Sequence, residues 1–252
     1  MKKKFLILVA VRLKSNRLKR KALINLYKKP LIIRLTERIK LAKIPIDIVW
    51  CTSKNKDDDK LEALAKLNKI SLFRGDDLNV LSRFLSVIKL RKADGIVRVT
   101  GDNPLTDPQL IDEMIKDHIK SKSEYTYVDN IPFGTSPEII SKKALIKCDK
   151  IIKNKNSTEY LSFYLKRPDY FKIKKYKVNN KKLIRKDIRL TVDTKEDLEI
   201  LKKIYNNFKG NPPSLEIIIN WLDKNPIIRN INNKVERLDL EIKRNCKLIS
   251  DI

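Results

Sequence analysis

Residues 12–21 read Arg-Leu-Lys-Ser-Asn-Arg-Leu-Lys-Arg-Lys, six cations in ten positions directly after an apolar run. Arginine offers paired donors that match phosphate oxygens, and lysine offers a mobile point charge. Hydrogen bonds to charged groups contribute about 1.5–3 kcal/mol each, so three of them approach the roughly 8 kcal/mol of a micromolar complex. This stretch could cradle a triphosphate, and taken alone it also fits a solvated basic loop. The glycine patterns of a Walker loop or a dinucleotide fingerprint are absent. Two carboxylates complement it. Asp102 follows Gly101 after an apolar stretch, and Asp193 ends the stretch Leu190-Thr-Val-Asp-Thr194. Magnesium takes one or two carboxylates together with phosphate oxygens and water, so two strand-end aspartates facing a triphosphate suit it. Taken singly, Asp102 fits a turn former and Asp193 a helix cap.

These residues need a scaffold that brings positions 12, 102 and 193 together. Residues 5–11 predict a strand buried on both faces. Residues 31–42 predict a helix, with Leu31, Leu35, Ile39 and Ala42 on one side. Strands are expected at 46–51, 71–74 and 95–100, and helices at 57–67 and 78–92, with another helix opening at Pro108 behind Asp107 as cap. In the 57–67 helix, Asp57, Asp58 and Asp59 read as surface acids that favour the helix dipole. Strand and helix thus alternate at short spacing, which predicts a parallel sheet with crossover helices. Ligands of such sheets bind at the carboxyl ends of the strands, near a switch in strand order. The loops 12–21 and 101–107 are therefore the expected site. Farther on, strands are expected at 125–130, 171–178 and 188–192, and helices at 141–151, 157–165, 195–206 and 214–223. The stretch Gly210-Asn-Pro-Pro213 is a breaker, dividing a catalytic domain at 1–210 from a helical extension at 211–252 packed on it.

Composition excludes several classes. No apolar run approaches the roughly 20 residues that span a bilayer, and Arg12 ends the opening apolar run with no small-residue cleavage site behind it. No membrane partner and a cytoplasmic location are expected. Cys51, Cys148 and Cys246 are far apart and read as reduced structural thiols. The formal net charge is +26, which raises the prospect of a polyanionic partner. The lysines are spread along the whole chain, however, and only 7% of residues are aromatic. Stacking platforms for bases are not suggested, and no nucleic-acid partner is expected.

Taken in order, Ala10–Leu23, Lys29-Pro-Leu31, Phe73-Arg-Gly-Asp-Asp77, Val80-Leu81, Arg83-Phe84, Arg98-Val-Thr-Gly-Asp-Asn-Pro104 and Thr191-Val-Asp-Thr194 with Glu196-Asp-Leu198 resemble the cytidylyltransferase family. That family includes acylneuraminate and 3-deoxy-manno-octulosonate cytidylyltransferases, and the likeness is greatest to its spore-coat-polysaccharide branch. It runs from about residue 4 to about residue 230. The resemblance implies an α/β, Rossmann-like nucleotidyltransferase fold, a mostly parallel twisted sheet with helices on both faces. It implies CTP and a sugar as substrates, Mg2+ as cofactor and a homodimer. Arg12, Ser15, Arg17 and Lys21 would hold the phosphates, with Arg12, Arg17, Lys21 and Asp102 as the catalytic set. Arg74, Asp76 and Arg83 would lie near the base and ribose. Asp102 and Asp193 would hold the metal, and Asn130, Glu138 and Glu159 would border the sugar. The chain departs from the family's usual pattern in its first loop, where Lys14, Lys19 and Arg20 stand in place of glycine, proline and glycine. The expected reaction is transfer of a cytidylyl group to an acidic keto-sugar. Another nucleotidyltransferase or a glycosyltransferase of similar fold, and a basic nucleic-acid-binding protein, are the competing expectations.

Overall fold

The computed structural model describes residues 3–14, 18–44 and 46–236. The opening apolar run forms β1 (Phe5–Ala10). Its side chains alternate, Phe5, Ile7 and Val9 entering one core and Leu6 and Leu8 another, as the period of a doubly covered strand requires. A small antiparallel pair, β2 (Asn25–Leu26) and β3 (Lys29–Pro30), leads into α1 (Leu31–Ile39). Then come β4 (Asp47–Ser53), α2 (Asp59–Leu67), β5 (Ser71–Gly75), α3 (Val80–Arg91), β6 (Gly95–Thr100) and α4 (Pro108–Ser121). The second half holds β7 (Tyr125–Tyr127), β8 (Glu138–Ser141), α5 (Lys142–Ile151), α6 (Leu161–Leu165), β9 (Ile173–Lys175), α7 (Lys195–Asn207), α8 (Leu215–Lys224) and α9 (Pro226–Arg229).

Seven strands form one sheet in the order β5-β4-β1-β6-β8-β7-β9. The first four are mutually parallel, β8 is antiparallel to both β6 and β7, and β9 is parallel to β7. Side chains of α1, α2, α4, α7 and α8 fill the core on one face, and those of α3, α5 and α6 fill it on the other. The expected mostly parallel sheet with helices on both faces is therefore present. Leu215, Ile218, Ile219 and Leu222 of α8 are buried in the first core, and Arg38 Nη1 holds the carbonyls of Pro212 and Pro213 at 3.0 and 3.1 Å. Among the described residues, no helix is long and apolar enough to cross a membrane. Cys51 and Cys148 are buried free thiols, pushed up to about 12 by that burial, and Cys246 lies outside the described residues.

Several sequence expectations need correction in the second half. The strand β8 was not foreseen, because its four residues follow a turn-rich loop and run straight into the Ser141 helix cap. The strand expected at 125–130 stops at Tyr127, and Asn130 turns the chain with φ +69°. The strand expected at 171–178 shrinks to Ile173–Lys175. Among the described residues, 188–192 join no strand ladder, and a single bridge links Arg189 to Phe133. Residues 155–160 form a 3-10 helix before the short α6, where one continuous helix was expected. These are short elements whose identity is decided by tertiary partners rather than by periodicity.

The chain leaves β1 toward β4 and β5, then crosses back to β6 on the other side of β1. The exits of β1 and β6 therefore lie side by side at a switch point. The Gly101 amide bonds to Ala10 O at 2.8 Å, and a Cβ on Gly101 would sit 2.7 Å from that of Val11. Residues 188–192 join the same edge, where Val192 N donates to Asp102 O at 2.9 Å. Asp58, expected at the surface, is instead buried. Its carboxylate accepts from Leu13 N at 2.7 Å, Thr52 Oγ1 at 2.8 Å, Ser53 N at 3.1 Å and the Ser53 hydroxyl. It thereby ties the start of the loop after β1 to the end of β4.

Two substitutions test these anchors. Asp58→Ala strips buried donors of their acceptor and is expected to cost about 3 kcal/mol, at about 1–3 kcal/mol for each orphaned group, in urea denaturation. Gly134 has φ +92°, and a Cβ there would meet Thr191 N at 2.5 Å. Gly134→Ala is expected to cost about 2 kcal/mol or more by the same measurement.

Candidate active site

At the carboxyl edge of the sheet, Lys21 joins two carboxylates from distant parts of the chain. Its Nζ lies 2.7 Å from Asp102 Oδ2 and 2.9 Å from Asp193 Oδ1. Lys21 opens a 3-10 turn, Lys21–Leu23, behind Arg20 in the left-handed region at φ +55°. Asp102 follows the Gly101 contact at the end of β6. Asp193 immediately precedes the cap of α7. The cap is Thr194, which forms a capping box with Asp197, whose carboxylate also accepts from Asp193 N at 3.0 Å. Arg189 steadies the other side. Its guanidinium reaches Asp193 Oδ2 at 3.1 Å and Asp197 Oδ1 at 2.8 Å, and it lies 5.1 Å over the Phe133 ring. Asn232 completes the shell, donating to Asp197 Oδ1 at 2.8 Å and to Arg189 O at 3.0 Å.

Burial alone would raise the Asp102 carboxyl, but the Lys21 ammonium outweighs it and holds the group below the ordinary carboxylate range. For Lys21, burial would lower the pKa; Asp102 and Asp193 outweigh it and hold the ammonium above its ordinary value. At neutral pH Asp102 is ionised and Lys21 is protonated. The donor set fits a hard divalent ion, because oxygens of two carboxylates already converge on one cation. Among the described residues no group of three or more His, Cys, Asp or Glu side chains gathers as a metal cage. An ion here would complete its shell with water and phosphate oxygens, as magnesium does.

Next to this cluster, Arg12 leaves the end of β1. Its Nη1 contacts Asp77 O at 3.3 Å and Asp77 Oδ1 at 3.5 Å, and its Nη2 pairs with Glu159. Glu159 sits on the 3-10 helix Lys155–Tyr160, whose carbonyl at Glu159 is held by Arg98 Nη2 at 2.9 Å. Thr158 Oγ1 ties this turn to the start of α3 by accepting from Leu81 N at 3.2 Å. Arg83, on α3, is buried. Its Nη1 bonds to Cys51 O at 3.3 Å, its Nε has no partner among the described residues, and burial pulls its pKa down.

Other expected site residues are placed differently. Arg74 is tied to α2 through Asp59 at 2.7 Å and Glu62 at 2.5 Å, and to the carbonyls of Ser53 and Asn55 at 3.0 and 2.9 Å. The Asp76 carboxylate closes a turn, accepting from the amides of Asn79 and Leu78 at 2.7 and 2.9 Å, and these bonds lower its pKa. Glu138 faces Arg98 across the β6–β8 ladder, pairs with its guanidinium and accepts from the Tyr125 hydroxyl. Asn130 carries a buried side-chain oxygen with no hydrogen-bond partner among the described residues. Ser15 and Arg17 lie outside the described residues. His118, the sole histidine, is buried against Phe5 at the far end of β1. Its Nδ1 is 2.8 Å from Thr126 Oγ1, and burial lowers it to about 4.

The residues that the sequence reading missed are the ones that hold others in place. Arg189 and Asp197 are spaced four before and four after Asp193, a spacing with meaning only once 188–192 is known to run into a capped helix. Asp77 and Arg98 were within sight as parts of quoted motifs, without an assigned partner.

The family model for cytidylyltransferases matches residues 6–217. The spore coat polysaccharide biosynthesis protein SpsF of Bacillus subtilis is 33% identical over 228 residues, covering 88% of this chain and 95% of that protein. A solved cytidylyltransferase from Leptospira borgpetersenii serovar Hardjo-bovis is 30% identical with a TM-score of 0.84, over 94% of this chain and 100% of that one. The solved CMP:2-keto-3-deoxy-manno-octonic acid synthetase complexed with CTP shares the fold at 13% identity and a TM-score of 0.60, over 81% of this chain and 99% of that one. The chain belongs to the cytidylyltransferase family.

Proposed function

We propose that this protein transfers a cytidylyl group from CTP to a hydroxyl of an acidic keto-sugar, such as a nonulosonic acid, and releases pyrophosphate with magnesium as cofactor. The observation that carries this reading is the convergence of Lys21, Asp102 and Asp193 on one point at the switch in strand order. The CTP of the solved synthetase of the same fold and the polysaccharide role of the Bacillus relative support it.

In this reading the sugar hydroxyl oxygen forms a bond to the α-phosphorus, the bond from that phosphorus to the bridging oxygen breaks, and pyrophosphate leaves with the electron pair. The hydroxyl proton goes to solvent. Such transfers need alignment and charge stabilisation more than covalent help. Lys21 and Arg12 supply positive charge to the phosphates, together with Arg17 from the same loop. A magnesium ion held by Asp102 and Asp193 would neutralise charge that builds on the phosphates. Phosphate binding at Arg12 replaces the present partners Asp77 and Glu159. On the sugar side, Asn130 offers an acceptor, and Glu159 a carboxylate once Arg12 turns to phosphate. Glu138 acts as a positioning residue in this reading, because Arg98 and Tyr125 already engage its two oxygens. Through Arg98 it supports the turn that carries Glu159.

Pyrophosphate release, measured with CTP, UTP and GTP against a panel of sugar acids, is expected only with CTP and a divalent metal; preference for UTP or GTP refutes the base assignment. Asp102→Ala should lower kcat/KM by about a hundredfold or more, in the range seen on removing a transition-state charge partner, while its circular dichroism stays that of the native fold. Near-normal turnover in that variant would remove Asp102 from the mechanism. Glu138 gives a pH signature. Burial raises its carboxyl, Arg98 outweighs the burial, and the folded pKa lies below its ordinary value of 4.5. A depressed carboxylate stabilises the fold fully above the unfolded pKa and loses that contribution as pH falls through the folded value. The Tm gap between the wild type and Glu138→Gln should therefore be constant above pH 4.5 and close at lower pH.

A further inference from the structure

The Lys21 ammonium sits where a shared cation of Asp102 and Asp193 would sit, 2.7 and 2.9 Å from one oxygen of each. A second cation that used the same oxygens would meet it at close range, where like charges repel. We propose that Lys21 is an internal counter-ion that competes with the divalent metal. It holds the two carboxylates together in the free protein and yields them only when a triphosphate draws its ammonium away.

Three observations point the same way. First, the carboxylates are fixed and the lysine is the mobile partner. Asp193 is braced by Arg189 and by the first turn of α7, and the backbone at Asp102 is held by Val192 N at 2.9 Å. Lys21 reaches them on a long flexible stem from a three-residue turn. Second, two carboxylates aimed at one point repel unless a cation lies between them, and here the chain supplies that cation itself. Third, among the described residues no third carboxylate, histidine or cysteine joins the pair. The protein alone therefore gives a divalent ion few ligands, and Lys21 contests those. The metal is thus expected to bind weakly to the free protein and tightly with the nucleotide. By linkage the metal tightens the nucleotide by the same factor. The identity of the nucleotide rests on the cytidylyl-transfer reading, whereas the competition rests on the carboxylate geometry alone.

The test is a Mn2+ titration of the full chain without nucleotide, followed by the electron paramagnetic resonance signal of free Mn2+. Lys21→Met removes the charge and keeps the length of the side chain; it is expected to bind Mn2+ at least tenfold tighter than the wild type. Lys21→Arg keeps the charge and should bind as weakly as the wild type. Adding Asp102→Asn to Lys21→Met should abolish the gain. Equal or weaker binding by Lys21→Met, tight binding by Lys21→Arg, or a gain that survives Asp102→Asn would each overturn the competition. If the methionine variant does not fold, Lys21→Gln takes its place with the same expected gain. CTP binding by the wild type is measured separately by calorimetry. A tenfold gain in Mn2+ affinity alongside no CTP binding would sink the nucleotide reading and leave the competition standing.

Discussion

A half-buried ammonium between two carboxylates constrains much of the surrounding architecture. Charges at such range interact by several kcal/mol in a poorly hydrated setting, and each is costly to bury without the others. The chain must therefore deliver Lys21, Asp102 and Asp193 to one point with little error. It does so with three backbone devices. The close approach of Gly101 to Val11 joins the exits of β1 and β6. The Asp58 carboxylate pins the first residues of the loop after β1. The capping box of α7 fixes the chain on either side of Asp193.

Around this centre the charged groups are arranged in shells. Arg189 touches Asp193 and Asp197 while stacking over Phe133, so the loop at 130–137 and the carboxylate share one guanidinium. Arg98 plays the matching part on the other side, linking Glu138 on β8 to the Glu159 turn. In both cases a planar fork of donors addresses two elements at once, which a lysine could not do. The excess of lysine over the rest of the surface is not needed for either arrangement. With a formal net charge of +26 it adds a general attraction for anions.

The first half of the fold was legible because its strands and helices are long and periodic. Leu31, Leu35 and Ile39 lie buried on α1 as their spacing demands, and the Asp107–Pro108 pair opens α4. The second half was less legible because its elements are short and answer to distant partners. Nothing local marks Glu138–Ser141 as a strand; its register comes from pairing with residues 95–98. Charge type and order put the loop 12–21, Asp102 and Asp193 forward together, the resemblance pointed to Lys21 within that loop, and these three side chains do share one point. Partners were harder. Asp58 looked like one of three surface acids, and only the fold shows it turned inward to Leu13 and Ser53. Nothing in the sequence paired Glu138 with Arg98; the β6–β8 register sets the two opposite each other.

Asn232 bonds both to Asp197 and to the backbone of Arg189, so the shell of the centre reaches almost to the last described turn. Proteins are made from the amino terminus, and early parts of the chain begin to fold while later ones are still being added. Here the sheet, Lys21 and Asp102 leave the ribosome long before the residue that braces the final bracket around Asp193. A nascent chain can thus assemble its sheet while the bracket around Asp193 still lacks Asn232, so the seat of that carboxylate is completed later than the strands whose ends carry Asp102 and the loop of Lys21.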